Sequence, residues 1–272
     1  MVRARGNMAA RLERISCLRD AEVGLDEWCF LASLGNRPED LPMLPRVLEP
    51  EIMDTAEDAA DYDAMDHGAV NEAFCRDLLA ARPAVACVLD AGTGTGLIAV
   101  ELCRRAPAAN IVAIDLANEM LALAKKNVQA AGYADRIEVA RRDAKHTGFD
   151  DGDFSAVISN SLLHHLPEPG AFLTEAARLL APGGLLFVRD LARPVDEAAL
   201  SSLVDQYARV TATDATLRSR ESRQRALFAA SLRAALTRDE VSALLPDALR
   251  VGARVELTSD RHYTLVARKA RA

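Results

Sequence analysis

The sequence lacks the features that mark several protein classes. Its five cysteines are scattered and none forms a C-x-x-C pair, so neither a disulfide framework nor a cysteine-rich zinc site is predicted. No run of about 18 apolar residues could span a membrane. The N-terminal segment has arginines but no apolar stretch of the kind that a secretory signal needs. These absences predict a cytoplasmic protein with reduced thiols.

The chain also lacks an excess of positive charge. Its 33 lysines and arginines face 40 aspartates and glutamates, which gives a net charge of −7. Long-range attraction to nucleic acid or to anionic lipid is therefore not expected, and a small or neutral partner fits better. Arg218, Arg220, Arg223 and Arg225 could form a local basic patch, which leaves an RNA or protein substrate open as an alternative. The sequence predicts no metal site.

Apolar β-type segments alternate with helical segments between residues 84 and 195. This alternation is typical of a parallel sheet covered by helices on both faces, so we predict an α/β fold. The predicted strands of this region are residues 85–90, 111–115, 136–143, 154–160 and 185–191. The predicted helices are residues 69–81, 118–131 and 168–181, and the last two end at Gly132 and at Pro182-Gly183-Gly184.

The segment VLDAGTGTG joins the first predicted strand to a helix. Glycines without a Cβ let a ligand touch the main chain, and the N–H groups at a helix N-terminus favour an anionic or polar ligand. A dinucleotide fingerprint needs G-x-G-x-x-G, but counting from Gly92 its third glycine would fall at Leu97. Asp90 would also repel a pyrophosphate. This disfavours a nicotinamide-dependent oxidoreductase and favours a ligand that carries a positive group.

Two more carboxylates follow at the ends of the next strands. Asp115 can accept hydrogen bonds from two ribose hydroxyls, and Asp143 can accept one from an exocyclic amine while a neighbouring N–H meets a ring nitrogen. The carboxyl ends of parallel strands share one edge of the sheet, where open α/β folds bind ligands. A nucleoside with a cationic amino-acid tail would satisfy Asp90, Asp115 and Asp143 together.

With these motifs the chain resembles a class I S-adenosylmethionine-dependent methyltransferase of the small-molecule, quinone-biosynthesis type. The resemblance covers about residues 85–194, through VLDAGTGTG, AIDLANEML, RRDA, ISNSLLHHL and LLAPGGLLFV. It implies S-adenosyl-L-methionine as cofactor and methyl transfer to a small-molecule acceptor. It also implies a Rossmann-like, seven-stranded, mainly parallel sheet whose last strand is antiparallel.

The resemblance further implies which residues hold the cofactor. Each role is taken from the matching motif position, and Tyr62 is the aromatic residue expected near the sulfonium. The implied residues are Asp90 at the amino-acid end, Gly92, Thr93, Gly94 and Gly96 around the tail, Asp115 at the ribose, Leu116, Asp143 and Ala144 at the adenine, and Asn160 by its main chain at the sulfonium side.

The acceptor-side candidates lie after the fourth strand and at the ends of two later ones. His164 could act as a general base at neutral pH, with Asp190 as a second catalytic candidate. Local packing, capping or mutual pairing are the alternatives for every residue of this group. The predicted substrate-binding residues are His165, Arg193, Arg261, His262 and Tyr263.

The chain is predicted to have four parts. They are a helical N-terminal extension or lid (1–83), the cofactor-binding core (84–195), a helical cap insert (196–245) and the last two strands of the core sheet (246–272), predicted at 249–257 and 262–269. A non-catalytic nucleoside-binding regulatory or assembly protein on the same fold stays an alternative. The acceptor atom (oxygen, nitrogen, sulfur or carbon) and the oligomeric state stay open.

Overall fold

The computed structural model describes residues 43–49 and 68–271. The residues from Leu44 onward form one compact unit, and the architecture below is that of this unit. Tyr62 and most of the predicted N-terminal extension lie outside the described residues. The predictions made for them therefore stay predictions.

The described chain contains eight α-helices and seven strands. The helices are α1 (Gly68–Ala80), α2 (Leu97–Arg105), α3 (Asn118–Ala130), α4 (Pro169–Leu179), α5 (Glu197–Tyr207), α6 (Ala215–Ala234), α7 (Arg238–Leu244) and α8 (Asp247–Arg250), and residues Leu163–His165 form a 3-10 turn. The strands are β1 (Val88–Ala91), β2 (Ile111–Asp115), β3 (Ile137–Arg141), β4 (Phe154–Asn160), β5 (Leu180–Leu191), β6 (Arg254–Leu257) and β7 (His262–Arg268).

The seven strands form one sheet in the order β3-β2-β1-β4-β5-β7-β6. The first five are parallel, β7 runs antiparallel to β5, and β6 runs antiparallel to β7. The predicted α/β fold with a seven-stranded, mainly parallel sheet is confirmed. The order reverses between β1 and β4, and such a switch point opens a crevice at the carboxyl ends of the strands.

The sheet is buried on both faces because its strands are apolar on both faces. Leu89 of β1 packs in one cluster with Phe172 of α4, whereas its neighbour Val88 packs on the other face with Phe74 of α1. The Phe74 ring meets the Phe187 ring edge-on, with centroids 5.1 Å apart. The apolar β-type segments of the sequence are thus the strands of a parallel sheet that lies between two layers of helices.

Strand β5 begins earlier than predicted. The sequence places its start at residue 185, after Pro182-Gly183-Gly184, but the strand begins at Leu180 and runs through these residues. Leu180 pairs with Phe154, and the register shifts before the pairing of Ala156 with Leu185. The proline and the two glycines therefore lie in a bulged strand start, which local sequence does not distinguish from a helix end.

The segment before β7 also differs from its prediction. The sequence predicts a strand over 249–257, but residues Asp247–Arg250 form the short helix α8 and β6 spans only Arg254–Leu257. The insert at 196–245 contains α5, α6 and α7, as its lack of strand signal indicates. No helix among residues 43–49 and 68–271 has the length and apolar character needed to cross a bilayer.

Gly96 is required where α2 begins beside α3. Its φ is +77°, and a Cβ at this position would lie 3.1 Å from the Cβ of Ala124. Gly132 has a similar φ of +75° but no atom within 4 Å of an added Cβ. Gly132→Ala should therefore lower the free energy of unfolding by only about 1 kcal/mol, because alanine is strained in the left-handed conformation. Gly96→Ala should lower the free energy of unfolding by about 2 kcal/mol, because overpacking against Ala124 adds about 1 kcal/mol to the same strain.

Urea unfolding of both variants tests this difference. Equal losses of unfolding free energy in the two variants would show that Gly96 is not pressed against α3.

Candidate functional site

The glycine loop after β1 bends back onto β2. Gly92, Gly94 and Gly96 all have positive φ, at 71°, 55° and 77°. The N–H groups of Gly92 and Thr93 both donate to the carbonyl oxygen of Ile114, at 2.9 Å each. A cleft opens beside this loop at the carboxyl edge of the sheet. Its lining residues are Asn71, Gly92, Thr93, Gly94, Thr95, Leu97, Ile98 and Asn160.

Asp90 lies buried under the loop, with 1% of the residue exposed. The Thr93 hydroxyl donates to its Oδ2 at 2.7 Å. Burial is the main cause that raises the pKa of the Asp90 carboxyl to about 6; the Thr93 hydrogen bond opposes this rise and the charge of Asp115 adds to it. A carboxyl placed this way becomes more acidic when a cation binds beside it. The site is thus chemically suited to a positively charged ligand group.

Asp115 ties the glycine loop to the start of α3. Its Oδ2 accepts a hydrogen bond from the Gly94 N–H at 2.9 Å, and its Oδ1 accepts one from the Ala117 N–H at 3.0 Å. Each carboxylate oxygen has a second lone pair, so both can still accept from a diol. Leu116 follows at the strand end, half-buried, and its carbonyl accepts from Arg141.

Asp143 and Ala144 follow the end of β3. Asp143 Oδ1 accepts from the Lys145 N–H at 2.9 Å, while Ala144 is buried. Because β3, β2 and β1 are neighbours in the sheet, the carboxylates of Asp143, Asp115 and Asp90 follow the same edge. The structure brings together the three acids that the sequence predicts at one site.

The chain makes a sharp turn after β4. Asn160 is the last residue of the strand, and Ser161 has a φ of +58°, which is uncommon for a residue with a side chain. The Ser161 N–H donates to the carbonyl of Arg189, and the Asn160 amide donates to the Ser161 hydroxyl. Such backbone strain concentrates at functional sites. Nothing in the residue types of this stretch indicates it.

Asp190 holds the 3-10 turn that follows. It is fully buried, and its carboxylate accepts from the N–H groups of Leu163 and Leu191 at 2.6 Å each and contacts His164 Nδ1 at 2.5 Å. Burial disfavours the charged imidazole, but Asp190 outweighs it and raises the pKa of His164. Burial likewise favours a protonated Asp190, but the charge and hydrogen bond of His164, together with the hydrogen bond from the Leu191 N–H, outweigh it and lower the pKa of Asp190.

The prediction that Asp190 faces the acceptor site is therefore wrong in its orientation, because the carboxylate is enclosed behind His164. His164 itself is buried, and its Nε2 lies 3.6 Å from Glu49 Oε1. Both ring nitrogens thus face carboxylates. The general-base role of His164 stays a prediction that this arrangement does not favour.

Residues 43–49 contact the 3-10 turn, and the sequence does not predict these contacts. The Arg46 guanidinium donates to the carbonyls of Ala234 at 2.7 Å and of Leu166 at 2.9 Å. Glu49 Oε1 lies 2.9 Å from His165 Nδ1. More than a hundred residues separate these partners along the chain, and no local pattern around Arg46 or Glu49 indicates them.

Two predicted substrate-binding residues are enclosed by the fold. Arg193 is buried, pairs with Glu240 at 2.5 Å and donates to the carbonyl of Ala235. Tyr263 is 0% exposed and packs in the core, because β7 pairs with the buried strand β5 at this residue. The predicted substrate-binding role of Tyr263 is not favoured by this enclosed position.

Arg261 and His262 lie at the start of β7. The Arg261 guanidinium stacks 3.4 Å from the centre of the Tyr207 ring, and His262 Nδ1 lies 3.0 Å from the Ser259 hydroxyl. Burial, with the nearby charge of Arg261, lowers the pKa of His262 to about 4. These local contacts occupy both side chains, and their substrate-binding role stays a prediction.

Comparison with known proteins places the chain in one family. The model of the family described as "Methyltransferase domain" matches residues 89–188. The chain is 31% identical over 189 residues to a ubiquinone biosynthesis O-methyltransferase of Xanthomonas axonopodis, which covers 69% of this chain and 77% of that protein. It is 39% identical over 107 residues to a demethylmenaquinone methyltransferase of Thermus thermophilus, which covers 39% of this chain and 48% of that protein.

Among solved structures, a SAM-dependent methyltransferase from Aquifex aeolicus superposes with a TM-score of 0.56 at 19% identity. The match covers 80% of this chain and 100% of that one, and at this identity it shows the fold alone. The sheet order, the carboxylates at the strand ends and the similarity to known proteins all indicate the same family. The chain belongs to the class I S-adenosylmethionine-dependent methyltransferases and is an enzyme that uses S-adenosyl-L-methionine as its cofactor.

Proposed function

We propose that this methyltransferase transfers the methyl group to an oxygen atom of a small molecule. The cleft at the switch point supports the cofactor half of this proposal, since it combines bare main chain with carboxylates. The acceptor half rests on the relatives. The similarity to the O-methyltransferase extends over 69% of the chain, whereas the similarity to the demethylmenaquinone methyltransferase extends over 39%.

In the proposed complex the cofactor lies along the carboxyl edge of β1, β2 and β3. Asp115 accepts hydrogen bonds from the ribose hydroxyls, and the main chain of the glycine loop surrounds the amino-acid tail. Asp90 lies near the cationic end of that tail. The adenine lies between Leu116 and the pair Asp143 and Ala144, and the Asn160 main chain approaches the sulfonium.

We place the acceptor beside Asn160 and the 3-10 turn. Helix α6 of the predicted cap and residues 43–49 of the predicted extension lie beside this turn, since Arg46 donates to the carbonyl of Ala234 in α6 and to that of Leu166 just after the turn. Bound S-adenosylmethionine would supply a methyl group on a cationic sulfur, which departs as a neutral thioether, and the acceptor hydroxyl would lose its proton to water. The protein's main task would be to align acceptor, methyl carbon and sulfur. Alignment of this kind can contribute about 7–11 kcal/mol.

In this arrangement Asp190 is a positioning residue. It fixes the His164 ring and the main chain of the turn, and it touches no open cleft. We assign no acceptor contact to Arg193 or Tyr263, because both are buried and the Arg193 guanidinium is paired with Glu240.

The binding of the cofactor should depend on pH through Asp90. The ionised carboxylate binds the cationic tail, whereas a protonated Asp90 must first release its proton. Because its pKa without ligand is about 6, affinity should be constant above pH 7 and fall by up to about tenfold per pH unit below pH 6. Calorimetric titration with S-adenosylmethionine between pH 5 and 8 measures this dependence, and Asp90→Asn should remove it. A wild-type affinity that is flat across this range would place Asp90 away from the cationic group.

The acceptor proposal is tested by labelling. The chain is incubated with methyl-labelled S-adenosylmethionine and a panel of small phenols and other hydroxyl compounds, and products are identified by mass spectrometry and NMR. We expect a labelled methyl ether. Label on carbon, or label recovered only in added RNA or protein, would contradict an O-methyltransferase of small molecules.

A further inference from the structure

Three potential metal ligands meet beside the 3-10 turn, in a cluster that the sequence did not predict. The carboxylate of Glu49 and the imidazoles of His164 and His165 each offer one atom, and these atoms all lie within 4.8 Å of one another. Glu49 Oε1 is 2.9 Å from His165 Nδ1 and 3.6 Å from His164 Nε2. We propose that Glu49, His164 and His165 bind a divalent transition metal ion, with Zn²⁺ as the best match.

The ligand set and its spacing suit such an ion. Two imidazoles and one carboxylate form the set found in catalytic zinc sites and in some iron(II) sites, and both leave coordination positions open. With metal–ligand distances of about 2.1 Å, neighbouring ligand atoms lie about 3.0 Å apart in an octahedral site and about 3.4 Å apart in a tetrahedral one. The two observed distances lie close to these values, and the two imidazole nitrogens lie within 4.8 Å of each other.

The contacts around the cluster orient its donor atoms. Asp190 takes the Nδ1 side of His164 and leaves Nε2 as the donor, which is the carboxylate–histidine arrangement typical of metal sites. The Ser231 hydroxyl lies 3.2 Å from each Glu49 oxygen. His165 Nδ1 is buried and, among the described residues, has no hydrogen-bond partner, because its short contact with Glu49 lacks hydrogen-bond geometry.

Charge balance also favours a cation here. The side chains of Glu49 and Asp190 are 8% and 0% exposed, and buried carboxylates need a compensating positive charge. Arg46, which contacts the same turn, directs its guanidinium at main-chain carbonyls of Ala234 and Leu166. A divalent ion between the imidazoles would displace the proton of His164 and take over the balancing of the two carboxylates. It would also join residues 43–49 to the turn beside the proposed acceptor.

Metal binding by the full chain, made without a histidine tag and stripped with EDTA, tests this site. Zn²⁺ is titrated in competition with a chromophoric chelator, and Co²⁺ serves as a second probe through its visible absorption. We expect one ion per chain. Glu49→Gln and His165→Asn should each weaken Zn²⁺ binding by at least about 100-fold, and Asp190→Asn by about 10- to 100-fold.

The control is His146→Asn, which removes an exposed histidine outside the cluster and should leave Zn²⁺ binding unchanged. Circular dichroism confirms that each variant is folded, and the Co²⁺ spectrum reports the ligands directly. The proposal is overturned if the wild type binds neither ion, or if Glu49→Gln and His165→Asn both bind Zn²⁺ as the wild type does. Stripped protein that binds S-adenosylmethionine but no metal would overturn this site alone and not the proposed methyl transfer.

Discussion

Replacing Asp190 with alanine is expected to lower the free energy of unfolding by about 3–5 kcal/mol, the cost of removing one partner of a buried charged pair. The carboxylate is fully buried and is the hydrogen-bond acceptor for Leu163 N–H, Leu191 N–H and His164 Nδ1. Alanine would leave two buried N–H groups unpaired and would leave the imidazole without its charge partner. The 3-10 turn that carries His164 should loosen as a result.

Urea unfolding followed by circular dichroism, with EDTA present so that no metal contributes, measures this loss. Asp190→Asn keeps an acceptor oxygen but removes the charge, so its loss should be smaller, about 2 kcal/mol. If Asp190→Ala costs less than about 1 kcal/mol, the carboxylate does not hold the turn.

The second large effect concerns the cofactor. Asp115→Ala should weaken S-adenosylmethionine binding by about 1.5–3 kcal/mol, the range for hydrogen bonds to a charged group, which is about 10- to 150-fold in affinity. Two losses combine in this variant. The ribose hydroxyls lose their acceptor, and Gly94 N–H loses the carboxylate that fixes the glycine loop.

Isothermal titration calorimetry gives the affinity, and Asp135→Ala supplies a matched control. Asp135 is an exposed aspartate before β3, so its removal changes the net charge equally without touching the cleft. Equal affinities of Asp115→Ala and wild type would remove Asp115 from the binding site. An equal loss in both variants would point to a general charge effect instead.

The positions of the glycine loop and of the strand-end carboxylates could be predicted from the sequence because their signals are local. Asp115 ends an apolar strand and Gly92 begins a glycine loop, and parallel strands bring such positions to one edge whatever the rest of the chain does. The sheet type follows from the same alternation. The sequence predicts too short a β5 because Pro182-Gly183-Gly184 is typical of a helix end. In the structure a bulge accommodates these residues within the strand.

The acceptor side was predicted less well because its contacts join distant parts of the chain. His164 meets Asp190, which is 26 residues away, and Glu49, which is more than a hundred residues away. The sequence predicts that Tyr263 binds the substrate, but β7 pairs with β5 and the Tyr263 side chain lies in the core. Periodicity and motif spacing carry no information about such pairs.

A crystal structure of the chain with S-adenosylhomocysteine would test the central claim most directly. We expect the ribose hydroxyls within hydrogen-bond distance of Asp115, the adenine beside Leu116 and Asp143, and the amino-acid tail against the main chain from Gly92 to Gly96. A product nucleoside bound elsewhere, with this strand edge empty, would contradict the account.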